Sequence, residues 1–195
     1  MKQTLLVVGF GILIFLVACK TKESIKKVPE KQTQILTEGY WNAEDSRLVA
    51  EKLVKKMLSD RWRTEYMIVH KNARPILIVG IVQNLSTETI DTSLFSKDIE
   101  KSIIKGDLVR FVQSGNKKSI LMTELANSDT IITISKWAER MGANFVVNAT
   151  INSTEETKRK EKIVLYRAKI ELINSETQQT VWLGEETINK KVLLK

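Results

Sequence analysis

The sequence has few of the residues that carry covalent and metal chemistry. Its 195 residues include one cysteine, Cys19, and one histidine, His70. The chain therefore cannot form an internal disulfide, and it lacks a Cys/His set that could hold zinc. No serine stands in a nucleophile-elbow motif, and the eight glycines are scattered rather than grouped in a phosphate-binding loop. We expect no catalytic residue, metal or cofactor, and we interpret His70 as a surface histidine rather than a general base.

Aromatic residues are also few, at 6% of the chain, and no basic stripe accompanies them. A nucleic-acid module needs clustered basic and aromatic side chains, so we expect no nucleic-acid partner. The net charge of +8 suits acidic partners or anionic lipid, but a lysine-rich proteome explains it as well, and we favour that explanation. The four tryptophans, which we expect in or around the core, are Trp41, Trp62, Trp137 and Trp182.

The N-terminus has the pattern of an export signal. Lys2 precedes an apolar run over residues 5–17, and this run of about 13 residues is shorter than the roughly 20 that a membrane-spanning helix needs. The run ends in Leu16-Val17-Ala18-Cys19, which resembles the lipobox of bacterial lipoproteins. A core helix with a buried cysteine is disfavoured by this position at the extreme end of the chain. We predict a signal peptide over residues 1–18 and lipidation of the Cys19 thiol.

The residues after Cys19 have the composition of a linker. Residues 19–37 are polar and charged and contain Pro29, so they cannot bury enough apolar surface to fold independently. We predict a lipidated flexible tether here, which reaches roughly 60 Å when fully stretched, and a globular domain over residues 38–195. Lys20, rather than aspartate, follows Cys19. This favours the outer membrane, facing the periplasm, over the inner membrane.

Within the domain, apolar residues recur at helical spacing early and at strand spacing late. Asn42 and Asp45 are spaced as a capping pair, followed by a helix with one apolar face: Leu48, Val49, Leu53, Val54, Met57 and Leu58. Phe95, Ile99 and Ile103 predict a second helix that ends at Gly106. A weak helix is predicted over residues 119–126, and a stronger one over 129–141 with a stripe of Ile131, Ile134, Ala138 and Met141.

The predicted strands cover residues 76–82, 108–112, 144–152, 163–173 and 180–188. In the fourth, Ala168, Ile170 and Leu172 alternate with polar residues, which predicts one buried face and one solvated face. Residues 153–162 are highly charged and are predicted to be a loop. Helices interleaved with strands early and a strand meander late predict an α+β fold, a small α/β sandwich with helices packed on a mixed or antiparallel sheet.

The order of several short motifs resembles the LpoB family of outer-membrane lipoproteins, which activate bifunctional penicillin-binding proteins. The motifs are Arg74-Pro75 before an aliphatic strand, Asn84-Leu85-Ser86, Ile90-Asp91-Thr92, Arg110-Phe111-Val112, Gly142-Ala143-Asn144-Phe145, Tyr166, and Val181-Trp182 ahead of Lys190. They span about residues 39 to 190. The resemblance implies a domain similar to the N-terminal domain of TolB, with no catalysis of its own, that docks onto a class A penicillin-binding protein and regulates peptidoglycan synthesis. It assigns no partner-binding residue.

Two other classes of function stay open at this point. A structural lipoprotein of an envelope assembly, such as a flagellar or secretion-associated complex, would carry the same anchor and tether. A hydrolase or ligand carrier is disfavoured because no catalytic set is present.

The lipobox interpretation makes a direct prediction. Replacing the only thiol, Cys19→Ser, removes the acylation site and leaves the domain intact. We expect the variant to leave the detergent phase in a phase-partition assay while its far-UV circular dichroism is unchanged. Continued partition into detergent after signal processing would show that the anchor lies elsewhere.

Overall fold

The structure is a computed structural model that describes residues 36–115, 117–125, 130–158 and 160–193. Cys19, the predicted signal peptide and residues 19–35 of the predicted tether lie outside this part. The helices are α1 (Ala43–Ser59), α2 (Trp62–Val69), α3 (Thr92–Gly106), α4 (Lys117–Leu125) and α5 (Thr130–Arg140). The strands are β1 (Leu36–Glu38), β2 (Ile76–Asn84), β3 (Arg110–Phe111), β4 (Phe145–Lys158), β5 (Glu161–Asn174) and β6 (Thr180–Leu193).

The strands form one mixed sheet in the order β1-β6-β5-β4-β2-β3. β4, β5 and β6 are antiparallel to one another, whereas β2 runs parallel to both β3 and β4, and β1 runs parallel to β6. The parallel pairs are joined through helices, as a crossover connection requires. The predicted α+β fold is therefore confirmed, with a mixed sheet rather than an antiparallel one.

Helices α1 and α3 cover one face of the sheet, which we call the inner face. The predicted cap begins α1: the Asn42 side chain accepts hydrogen bonds from the backbone N–H groups of Glu44 and Asp45 at 2.9 and 3.1 Å, and Asp45 accepts one from the Asn42 N–H at 2.9 Å. The helix then buries five of the six predicted apolar residues. Leu48 is the exception, at 43% exposure, because it lies at the margin of the buried stripe. On β5, Ala168, Ile170 and Leu172 are buried as predicted, and they pack in the same core.

The opposite, outer face carries a second, smaller core with α4 and α5. Ile134, Trp137 and Ala138 of α5 are buried there against Ile78 and Val146 of the sheet. The predicted stripe of this helix is therefore partly wrong: Ile131 is 48% exposed, and Trp137 takes its place. Ile134, Ala138 and Met141 contact this core as predicted, so one of the four predicted positions is misplaced.

Three features of the fold differ from the sequence-based prediction. The charged residues 153–162 are not a loop, because β4 and β5 continue as a hairpin to the pair Lys158 and Glu161. Ion pairs across the ladder hold charged strands of this kind together, such as Lys162–Glu155 at 2.7 Å. Helix α2 was not predicted, and it follows a break at Asp60, whose backbone is extended. Strand β1 begins at Leu36 and so adds two residues of the predicted tether to the sheet.

No helix among the residues described is long and apolar enough to cross a membrane.

A buried ion pair joins the start of α1 to the sheet. Lys190 of β6 is 0% exposed, and its ammonium lies 2.6 Å from the Asp45 carboxylate. Because Asp45 also belongs to the helix cap, one carboxylate satisfies both the buried lysine and the Asn42 N–H. Two desolvated charges stabilise a fold only when each keeps its partner.

This pair predicts an asymmetry between two adjacent lysines. Lys190→Met keeps most of the side-chain volume but leaves Asp45 buried without its counter-ion, so we expect the free energy of unfolding to fall by about 3–5 kcal/mol. Lys191→Met removes a partly exposed pair with Glu161 and should cost under about 1 kcal/mol. Urea unfolding of the two variants measures the difference, and equal losses would contradict the burial of Lys190.

Candidate binding site

A surface cavity of about 520 Å³ lies where four segments of the chain meet on the inner-face side. These segments are the residues before α1, the loop between β2 and α3, and the distal ends of β4 and β5. We call the cavity the notch. It is lined by Tyr40, Trp41, Thr87, Glu88, Thr89, Glu155 and Lys162.

The loop between β2 and α3 is held in shape by its own polar side chains. The Asn84 side-chain oxygen accepts hydrogen bonds from the Ser86 N–H at 3.0 Å and the Ser86 hydroxyl at 2.6 Å, and the Asn84 amide donates to the Glu88 carbonyl at 2.6 Å. Such turns, in which an asparagine side chain binds the backbone two residues on, fix a loop without secondary structure. The Glu88 side chain is thereby directed toward β5.

Tyr166 connects this loop to the sheet and to the segment before α1. Its buried hydroxyl donates a short hydrogen bond to Glu88 and accepts one from the Trp41 N–H at 3.2 Å. The Trp41 ring also packs edge-on against Tyr166 at 5.6 Å and Phe95 at 5.9 Å. Burial, and then the hydrogen bond to Glu88, raises the pKa of Tyr166 well above its usual value. The phenol therefore stays protonated and acts as a structural donor.

Glu88 depends on that one donor. Its Oε2 accepts from Tyr166, whereas its Oε1 is buried and accepts no hydrogen bond. Burying a carboxylate oxygen without a hydrogen-bond donor lowers the stability of the fold. The hydrogen bond from the Tyr166 hydroxyl to the other oxygen partly offsets this cost.

The other wall of the notch is an ion pair beside an aromatic ring. Lys162 lies 2.7 Å from Glu155 and 5.5 Å from the centre of the Tyr40 ring, and Thr87 donates to Glu155 at 3.2 Å. The hydrogen bond between them raises the pKa of Lys162 and lowers that of Glu155, so both are charged at neutral pH. Tyrosine and tryptophan beside satisfied polar groups are typical of protein-binding surfaces.

The lining of the notch includes neither a histidine nor a cysteine. His70 lies at the end of α2, where its ring stacks on Tyr66 at 3.9 Å and its Nδ1 lies 2.8 Å from the Tyr66 carbonyl oxygen. Within the described residues, no three His, Cys, Asp or Glu side chains are grouped as metal ligands.

The sequence motifs are only partly brought together. Asn84-Leu85-Ser86 and Tyr166 meet through Glu88, which the sequence did not single out. The Glu88–Tyr166 contact joins residues 78 positions apart, and no local pattern reveals it. The segments Arg74-Pro75 and Gly142-Ala143-Asn144-Phe145 instead begin strands or end helices, which are structural roles. Cys19 lies outside the described residues.

Comparison with known proteins now assigns the family. The sequence profile of the peptidoglycan-synthase activator LpoB matches residues 45–188, which include most of the sheet and both cores. The chain belongs to the LpoB family. No curated protein matches its sequence, so the family profile carries the assignment.

Solved LpoB structures share the fold. The C-terminal domain from Escherichia coli is similar with a TM-score of 0.52 at 15% identity, and that from Salmonella enterica with 0.51 at 16%. Each comparison covers 74% of this chain and 98% of the other. The NMR structure of Escherichia coli LpoB has a TM-score of 0.51 at 13% identity over 97% of this chain and 93% of that one. At these identities the likeness concerns the fold alone.

The geometry of the notch predicts that the Tyr166 hydroxyl contributes more to the stability of the fold than the Tyr40 hydroxyl does. Tyr166→Phe removes the donor to Glu88 and the acceptor for Trp41, so we expect the free energy of unfolding to fall by about 1–3 kcal/mol. Tyr40→Phe removes an exposed hydroxyl on the rim and should change it by under about 0.5 kcal/mol. Thermal or urea unfolding compares the two variants. A Tyr166→Phe variant as stable as the wild type would show that Glu88 does not bind Tyr166 in solution.

Proposed function

We propose that the protein is a lipid-anchored activator that binds a class A penicillin-binding protein and regulates peptidoglycan synthesis. The single observation that carries this proposal is the match of residues 45–188 to the family of peptidoglycan-synthase activators. The match extends over nearly all of the described domain. The inference from family to activity therefore rests on the whole folded domain rather than on one short motif.

The anchor follows from the sequence. Cys19 ends a lipobox-like segment, and diacylation of its thiol would attach the chain to a membrane for as long as both acyl chains are buried. Lys20 favours the outer membrane. The domain would then face the periplasm, where it can meet the synthase.

The domain would act on the synthase by binding alone. A binding partner shifts an enzyme toward its active conformation only if it has a higher affinity for that conformation. The notch supplies aromatic and polar groups on a rigid support, because Tyr166 and Trp41 are fixed by the core. It is therefore a candidate for part of the docking surface.

This function predicts activity in a reconstituted system. Purified residues 20–195 should have no hydrolytic activity on peptidoglycan. When they are added to a cognate class A penicillin-binding protein, glycan polymerisation or crosslinking should rise and saturate with the domain concentration. The lipid-linked precursor assay measures both rates. Absence of binding to any synthase by surface plasmon resonance would refute the activator proposal and favour the structural lipoprotein of an envelope assembly.

The contribution of tether length can be tested in cells, with activation in solution as the control. If the synthase lies near the limit of reach, deletion of residues 24–34 should abolish activation in cells and leave activation in solution unchanged. The same loss in both settings would mean that the deletion damages the domain and does not merely shorten its reach.

A further inference from the structure

Strand β6 has a long edge with no neighbour among the described residues. On one side β5 pairs along nearly the whole strand, from Thr180 to Leu193. On the other side only β1 pairs with it, at residues 189–191. In the part of the chain that the structure describes, residues 180–188 have no strand neighbour on that side. Nine residues at about 3.3 Å each extend roughly 30 Å.

The register identifies the backbone groups on this edge. The Gly39 N–H donates to the Lys191 carbonyl at 3.0 Å, so the backbone of Lys191 faces β1. Backbone direction alternates along a strand, and the β5–β6 register is regular from Lys191 back to Trp182. Leu183, Glu185 and Thr187 consequently direct their N–H and C=O groups to the open edge.

Between Trp182 and Thr187 the usual protections of an edge strand are absent or neutralised; a register irregularity lies before this stretch, at Val181. In natural proteins, proline, bulges or inward-pointing charges keep an edge strand from pairing with another chain. β6 contains no proline, and its inward charges are satisfied: Lys190 by Asp45, and Glu186 by Lys52 and Lys56 of α1. Burial would raise the pKa of Glu186, but its hydrogen bonds from both lysines outweigh this and lower it, so the carboxylate is charged. Exposed apolar side chains flank the edge, Leu183 at 55% and Val181 at 37%.

We infer that the open edge of β6 is a docking site for an extended segment of the partner synthase, which adds to the sheet as a further strand. Strand addition uses the backbone for affinity and alternate side chains for specificity. The segment would place an apolar residue beside Leu183 and an uncharged one beside Glu185, whose carboxylate is already paired with Arg167 at 3.0 Å. The inference rests on the proposed function for the identity of the partner.

A second copy of the chain fits this edge less well. Two copies could pair antiparallel through this edge about a two-fold axis. The pairing that gives hydrogen bonds to the outward backbone groups of Leu183, Glu185 and Thr187 is centred on Glu185. It places the two Glu185 carboxylates directly opposite each other, which destabilises a strand pair. An unrelated segment has no such constraint.

The test compares binding of a class A penicillin-binding protein to the wild-type domain and two variants of one position. Leu183→Pro removes an outward N–H without touching the β5 ladder, since proline is tolerated where the N–H of an edge strand faces solvent. We expect its dissociation constant to rise at least about tenfold, whereas Leu183→Ala, which keeps the N–H, should change it by under about threefold. Surface plasmon resonance measures the constants, and circular dichroism checks the fold.

Hydrogen exchange on the wild type gives a second measurement that needs no variant. In the complex, exchange of the Leu183, Glu185 and Thr187 amides should slow at least about tenfold, because each gains a partner. Binding with these amides unprotected and Leu183→Pro unaffected would overturn the edge inference and leave the activator proposal standing. Absence of any binding by the wild type would overturn both. A domain that dimerises through these amides would show that the occupant is a second copy.

Discussion

The desolvated ammonium of Lys190 sets the geometry of this domain. It lies in the core on the edge strand β6, and Asp45 is the carboxylate it contacts. That carboxylate belongs to the cap of α1, so the helix must begin above β6 for both groups to be satisfied. The preceding residues are fixed in turn, as Gly39 binds β6 and Trp41 binds Tyr166. The buried charge of Lys190, paired with Asp45, thus connects β6 to the start of α1 and to one wall of the notch.

The two surfaces proposed for binding both depend on this arrangement. The notch exists because Trp41 and the loop after β2 converge on Tyr166, two strands in from the edge. The open part of β6 is competent to pair because α1 supplies Lys52 and Lys56 to Glu186, which would otherwise be an unpaired inward charge. Helix α1 therefore does more than cover the core. It neutralises the groups that would keep another chain away.

Polar side chains fix the loops and helix starts of this domain. Membership of a family of peptidoglycan-synthase activators fits a domain whose polar side chains are used to fix loops and caps. Asn84 orders the β2–α3 loop, Asn42 caps α1, and Tyr166 holds Glu88. Each such bond lowers the entropy lost when a partner docks, because the surface is already in place.

Local periodicity and capping determined much of this fold from the sequence alone. The Asn42 cap, the helix through Phe95, Ile99 and Ile103, and the alternating face of β5 are all local patterns, and each was confirmed. The resemblance to the family was visible in the sequence for the same reason, because it rested on the order of such local elements. Only the tertiary structure decided which charged segments are strands, why Lys190 is buried, and that Glu88 meets Tyr166. These depend on contacts between residues far apart in the chain, where burial and pairing override the local preference of a charged residue for solvent.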